Sequence, residues 1–554
     1  MPADRLVVGA LALLLAAGCA GGGTDPEEAP PLASNAARNP QDDKPAYGDA
    51  IVFGTIGDAS TLIPMLASDS ASHEYAGNIF DGLLTYDKTL STLEPRLAER
   101  WEVEDGGQRI TFHLRRDVKW TDGKPFTARD VQFGFNLIRD PSTLTAYAED
   151  YKQVQTFELI DDWTFRVVYE KPFAPALSSW GSMVVLPRHL LEGKNINESD
   201  FGQHPVGLGA HVFEDWERNT RFTLRANPTY YRGRPWIERV VYRVIPDEAT
   251  QFLELKSGGL DMMGLTPLQY TRQTSTPVFA QDFRKYRYVS NAYTYMGYNL
   301  SDPRFADVRV RRAFSHAINK QEIVDAVLMG LGKPAEGPYR PGTAWLNKDL
   351  PAYTWDPAKS RALLAEAGWT DTDGDGVVDK DGVPFSFRIL TNQGNDQRLK
   401  TATIIQKRLR DVGVDASVRV LEWSAFINDF IDKRKFEAIV LGWSLSLDPD
   451  QYDIWHSSKT GYKQFNFVGY NNPEVDELLE KGRRTFDEAE RKRIYDRIQM
   501  ILYEDQPYTF LYVPEATPIL ASRFHGIEEQ PAGISWNFPL WYVPAGQQKY
   551  TITK

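Results

Sequence analysis

The chain has 554 residues, 42% of them hydrophobic and 25% charged, with a formal net charge of -12 at pH 7. That length exceeds what a single hydrophobic core serves, so at least two lobes are expected. The acidic balance, with no lysine or arginine stripe, excludes a nucleic-acid partner. The aromatic content of 12% fits either flat binding walls or aromatic-rich cores.

The single cysteine, Cys19, rules out an internal disulfide or a cysteine-held metal. An uncharged apolar run over residues 6–17 follows Arg5 and is too short to span a bilayer stably, which reads as a secretory signal over residues 1–18. Leu15-Ala16-Ala17-Gly18-Cys19 looks like a lipobox, so Cys19 is the expected lipidation site. Ala16, where a larger aliphatic is usual, and Asp4 beside Arg5 depart from that pattern. Residues 19–46 are rich in Gly, Pro and Ala and form the expected flexible tether.

Further along, Ile51-Val52-Phe53 predicts a first strand over residues 50–54. Alternation of Ile110, Phe112 and Leu114 predicts a second, followed by the turn Asp122-Gly123. Thr127 and Asp130 make a capping box for a helix carrying Val131, Phe133, Phe135 and Leu137. Helical spacing recurs over residues 309–323, from Pro473, and over residues 488–502. Strands and helices mixed without a repeat predict an α/β chain with several sheets.

Six stretches, in order, carry a resemblance: Leu93-Glu94-Pro95-Arg96-Leu97-Ala98-Glu99-Arg100-Trp101; Phe112-His113-Leu114-Arg115 through Val118-Lys119-Trp120 to Asp122-Gly123; Phe126-Thr127-Ala128 with Asp130-Val131; Asn227-Pro228 with Tyr230-Tyr231; Asp307-Val308-Arg309-Val310-Arg311-Arg312-Ala313; and Gly469-Tyr470-Asn471-Asn472-Pro473-Glu474-Val475-Asp476. Through them the sequence resembles the family 5 extracellular solute-binding proteins, which serve oligopeptide, dipeptide, nickel and related ABC importers. The resemblance implies a two-lobed, periplasmic-binding-protein-like α/β clamp with mixed sheets, its first lobe built from both ends of the chain. Lobe I is expected over residues 47–290, with a subdomain near 84–204, lobe II over 291–513, and a return to lobe I over 514–554, with crossings near 289–295 and 512–514. It implies a monomer on a lipid anchor, in the periplasm or at the cell surface, that closes on a peptide and hands it to a permease driven by ATPases, with no chemistry on the ligand.

In relatives, the segment matching Gly442-Trp443-Ser444 lines the cleft, its backbone pairing with the peptide as an added strand. Trp443 would then wall a pocket rather than end a buried strand. Trp423 matches a second pocket tryptophan, and Tyr147 lies in a loop expected over the ligand. Relatives that read a free amino terminus carry an aspartate three residues after this tryptophan, and here Ser446 stands there. Either Asp448 takes over the anchor, or the ligand is a blocked peptide, an oligosaccharide, an opine, a metal chelate or another solute. Asp448 could instead cap a helix near residues 451–455.

Independently of that resemblance, Asp371, Asp373, Asp375, the Val377 carbonyl and Asp379, with Gly376 at the turn, form an oxygen-rich pattern suited to structural calcium. The closing glutamate of an EF-hand is replaced by Gly382, and a solvated acidic turn is the alternative. No cofactor is required. Gly207-Leu208-Gly209 lacks the setting of a phosphate loop, and His73-Glu74 lacks the second histidine of a zinc-protease helix. No Gly-x-Ser-x-Gly elbow occurs, which counts against the rival of a secreted, calcium-stabilised hydrolase. A sensory or adhesive clamp without transport is a further alternative.

Overall fold

The computed structural model describes residues 43–552, without the side chain of Val278. The signal segment, Cys19 and nearly all of the tether lie outside the described residues. From Lys44 onward the chain is one compact unit.

Two seven-stranded sheets organise it. In the first, the strand Gly48–Thr55 lies at the centre, parallel to Ile237–Val244 on one side and joined to Met262–Gly264 on the other. Arg221–Ala226 and His211–Glu217 extend one flank. The other flank is closed by Pro518–Ala521, which pairs with Met262–Gly264 and Phe283–Lys285, so this sheet combines segments from both ends of the described chain. A four-stranded antiparallel sheet over residues 98–169 forms a satellite, with Ile110, Phe112 and Leu114 buried on its inner face as the alternation predicts.

The second large sheet is contiguous in sequence. Tyr508–Ala516 and Ala438–Ser444 flank Ala292–Tyr298, and Ser386–Asn392 and Asp415–Leu421 continue it. The chain leaves the first sheet after Lys285 and enters the second at Tyr288. The Tyr286 N–H still donates to the Pro518 carbonyl of the first sheet at 2.9 Å, so the outward crossing lies at Arg287, before the segment expected to hold it. Tyr508–Ala516 stays in the second sheet over its whole length, so the return falls at Thr517 and not at 512–514. Both differences have one cause: the aromatic and β-branched runs that mark these strands extend beyond the points at which the chain changes lobe.

Most helices begin where a capping residue stands. Thr127 accepts into its box as expected, its N–H donating to Asp130 Oδ2 at 2.9 Å at the head of Ala128–Arg139. The helical spacing over residues 309–323 resolves into two helices, Val308–Ala317 and Lys320–Ala326, because Asn319 caps the second by accepting from the Glu322 N–H at 3.1 Å. Pro473–Arg484 and Glu488–Asp505 follow the sequence closely. Gly207 and Gly209 serve close approach: a Cβ on either would stand 2.0 Å and 2.5 Å from the carbonyls of Ile79 and Asn78, at the end of helix Ser70–Ile79.

Candidate ligand-binding cleft between the lobes

The strand Ala438–Ser444 is paired unequally on its two sides. Against Ala292–Tyr298 every residue is in register, from Tyr298 opposite Ala438 to Ala292 opposite Ser444. Against Ser386–Asn392 only Ala438 and Ile439 are paired, and the neighbour then diverges. The Leu445 N–H donates to the Asn291 carbonyl at 2.8 Å, so by alternation residues 441, 443 and 445 address that neighbour. The backbone N–H and C=O of Gly442 and Ser444 therefore point to the open edge, where an extended chain could add as a strand.

Beside this edge stands Arg398, close enough that a Cβ on Gly442 would lie 3.0 Å from its guanidinium. Arg398 donates to Asn392 Oδ1 at 2.8 Å, and no carboxylate pairs with it among the described residues. Desolvation lowers its pKa. A half-buried guanidinium without a carboxylate is a ready partner for a ligand carboxylate. Sequence reading missed it, since nothing in the run Asn395-Asp396-Gln397-Arg398 tells whether a carboxylate meets it in space.

Three expected aromatics meet at the face between lobes. Trp443 is half-buried, its ring 5.4 Å from Phe465 and 5.6 Å from Phe467, with Nε1 donating to Tyr508 OH at 3.3 Å. Phe465 also packs at 5.4 Å against Tyr147 of the first lobe, whose hydroxyl donates to the Ala67 carbonyl at 2.9 Å. Trp423 crosses likewise, with Nε1 donating to Asp69 Oδ1 at 3.3 Å and its Cβ pressed on Gly57. Ser444 is exposed, and the Ser446 hydroxyl donates to the Asp448 carbonyl at 2.7 Å.

Asp448 requires a correction. Both its oxygens receive Arg491, at 2.7 and 2.9 Å, so it is a poor stand-in for the amine anchor. Nor does it cap the helix Tyr452–Trp455, because Asp450 Oδ1 accepts the Tyr452 N–H at 3.2 Å. Arg483 takes Asp450 at 2.9 Å and also reaches Asp150 of the first lobe. Lys459 lies 2.9 Å from Glu149 of the first lobe and 3.3 Å from Asp453. With the Thr145 carbonyl accepting Gln464 Nε2 at 2.8 Å and the Arg483 carbonyl accepting the Ala174 N–H at 2.7 Å, these pairs clasp the lobes on one side.

A cavity of about 1050 Å³ lies mostly against the first lobe, walled by Phe53, Tyr242, Trp536 and Phe538, with Leu447 reaching in from the second. Its size sits at the upper end of ordinary ligand sites.

The acidic loop stands apart, after helix Pro357–Glu366. Carboxylate oxygens of Asp371, Asp373 and Asp375 lie within 4.8 Å of one another and all three residues are exposed. Asp379 does not join them: its oxygens receive the Thr372 N–H at 2.8 Å and hydroxyl at 2.7 Å. The Val377 N–H donates to Asp375 Oδ1 at 2.8 Å.

The comparisons agree with this architecture. Residues 92–465 match the model of bacterial extracellular solute-binding proteins, family 5. The oligopeptide-binding protein AppA of Bacillus subtilis is 32% identical over 525 residues, covering 92% of this chain and 94% of that protein. Its structure in complex with a nonapeptide superposes with a TM-score of 0.86, covering 90% of this chain and 100% of that one at 31% identity. NikZ from Campylobacter jejuni in complex with Ni(L-His) gives 0.81 at 26% identity, covering 89% and 99%. DppA from Helicobacter pylori in complex with peptide STSA gives 0.81 at 26% identity, covering 91% and 99%. The fold and cleft define a two-lobed solute-binding protein. The chain belongs to the family 5 bacterial extracellular solute-binding proteins of ABC importers.

Proposed function

We propose that this protein captures peptides by closure of its two lobes and delivers them to an ABC permease, without chemistry on the ligand. The observation that carries the reading is the one-sided pairing of Ala438–Ser444, which leaves Gly442 and Ser444 to bond an added strand. Backbone bonding of that kind is blind to side chains and suits a peptide over an oligosaccharide or opine. Arg398 would receive the peptide carboxylate, and Trp443, Trp423 and Tyr147 would wall the flanking pockets. The metal-chelate complex of NikZ keeps a non-peptide solute as the second reading.

The anchor and the location belong to the same proposal: a lipid on Cys19, a tether, and a monomer working in the periplasm or at the cell surface. No helix among the described residues is long and apolar enough to cross a membrane. For the loop of Asp371, Asp373 and Asp375 we propose structural calcium, supported by the convergence of three carboxylates with no cationic partner among the described residues.

Native mass spectrometry of the gently purified protein tests the peptide reading. A ladder of peptide masses released on denaturation is the expected result. A single non-peptide mass would move the substrate to the second reading.

A further inference from the structure

The loop that follows the open strand edge is held at both ends by one neighbouring segment. At its start the Leu445 N–H donates to the Asn291 carbonyl at 2.8 Å, and the Leu445 carbonyl accepts Asn291 Nδ2 at 2.6 Å. At its finish Tyr339 OH donates to the Pro449 carbonyl at 2.5 Å, and Gln451 Nε2 donates to the Pro338 carbonyl at 3.1 Å. Arg340 comes directly after Tyr339 and turns back to the start of the loop, its Nε donating to Asn291 Oδ1 at 3.1 Å. One asparagine side chain therefore separates the guanidinium from Leu445, the residue before Ser446. Fixed backbone on one side and a hydrogen bond on the other leave Arg340 little freedom to swing away.

The other charges at this end of the cleft are closed pairs. Asp448 gives both oxygens to Arg491, Asp450 holds Arg483, and Glu515 holds Arg287 at the crossing between lobes. The Ser446 hydroxyl donates to the Asp448 carbonyl and brings no charge. Arg340 is half-buried and meets no carboxylate among the described residues. The cavity beyond Leu447 carries both signs, Glu74 and Glu94 with Arg96 and Arg232, and sets neither. The uncompensated charge beside Ser446 is thus positive. An α-ammonium arriving there is repelled, whereas a carbonyl or carboxylate gains a donor.

We propose that Arg340 reads the amino end of the bound peptide and selects chains whose amino terminus is blocked, most of all those whose blocking group brings a carboxylate. The inference rests on the peptide reading and names the class of peptide. Gly442, beside Arg398, and Leu445, beside Asn291 and Arg340, are three residues apart, about 10 Å of extended strand. A short acylated peptide spans that length and presents an acceptor to each guanidinium.

Isothermal titration of the full chain at pH 7 with tetra-alanine, N-acetyl-tetra-alanine and N-succinyl-tetra-alanine tests the assignment, since the amino ends are cationic, neutral and anionic in turn. The succinyl peptide is expected to bind the wild type at least about tenfold more tightly than the acetyl peptide, and the free amine more weakly than either. Arg340→Gln should bring the three to within about twofold of one another. Arg340→Lys, which keeps the charge, should keep part of the order. A residue that only braced Asn291 would, on substitution, weaken all three alike and leave their order intact, which overturns the proposal. Equal binding of the three to the wild type, or tightest binding of the free amine, overturns it as well while the peptide reading stands. Failure of every one of these peptides to bind overturns both.

Discussion

The charges of the clasp and the charges of the cleft are built from the same residue types and differ in one respect. Arg483, Lys459 and Arg491 meet carboxylates within the protein, whereas Arg398 meets none among the described residues. A satisfied buried pair fixes a geometry, and an unsatisfied buried group waits for a partner. The clasp thus ties the two lobes to each other, and the cleft holds back part of its interaction energy for the ligand. Stability of the empty protein and affinity for the solute should therefore respond to different substitutions.

The largest effect is expected from Arg483→Met, which strands Asp150 and Asp450. Removing one partner of a buried pair costs about 3–5 kcal/mol, and urea unfolding should show a loss of that order. An unchanged midpoint would mean the clasp is not formed in solution. Next, Arg398→Met should weaken peptides with a free carboxylate about 10- to 100-fold and leave their amides little changed, with a modest change in urea midpoint. Equal loss for acids and amides would remove Arg398 from the carboxylate role.

The pH dependence of the empty protein gives a smaller contrast. Desolvation moves the buried His211 down to about 3, so its contribution is full above 6.5 and is lost as pH falls toward 3. The difference between wild type and His211→Gln isolates it. The melting temperature of wild type should fall by about 1 °C or more relative to the variant between pH 7 and pH 4. A constant gap would exclude titration of His211 in that range. Smallest is calcium, expected to raise the melting temperature by about 1 °C in wild type and not in Asp373→Asn. Identical curves with calcium and with chelator would leave the loop a solvated turn.

Local order was readable from the sequence to the extent that its cause is local. The capping box at Thr127 and the alternation at Ile110, Phe112 and Leu114 depend on residues a few positions apart, and both are in the structure. Asn319 is equally local, but an apolar stripe running on either side masked it as a break. The cleft depends on distant partners. Glu149 and Lys459 are 310 residues apart, and Asp448 resembled an anchor until Arg491, 43 residues later, was found on both its oxygens. An unpaired charge is harder still, since it is defined by every partner it lacks. Arg398 stands in an ordinary polar run, and only the fold reveals that no described carboxylate meets it.

The strand Pro518–Ala521 lies between Met262–Gly264 and Phe283–Lys285. A chain emerging from its N-terminus can complete the second sheet while the first still lacks this inner strand. Gaps of more than 200 residues must be closed before Ile519 finds Met263 and Lys285, and such non-local pairing is slow. The half of the molecule that begins first is thus the half that finishes last, which prolongs the time during which the polypeptide remains unfinished and threadable.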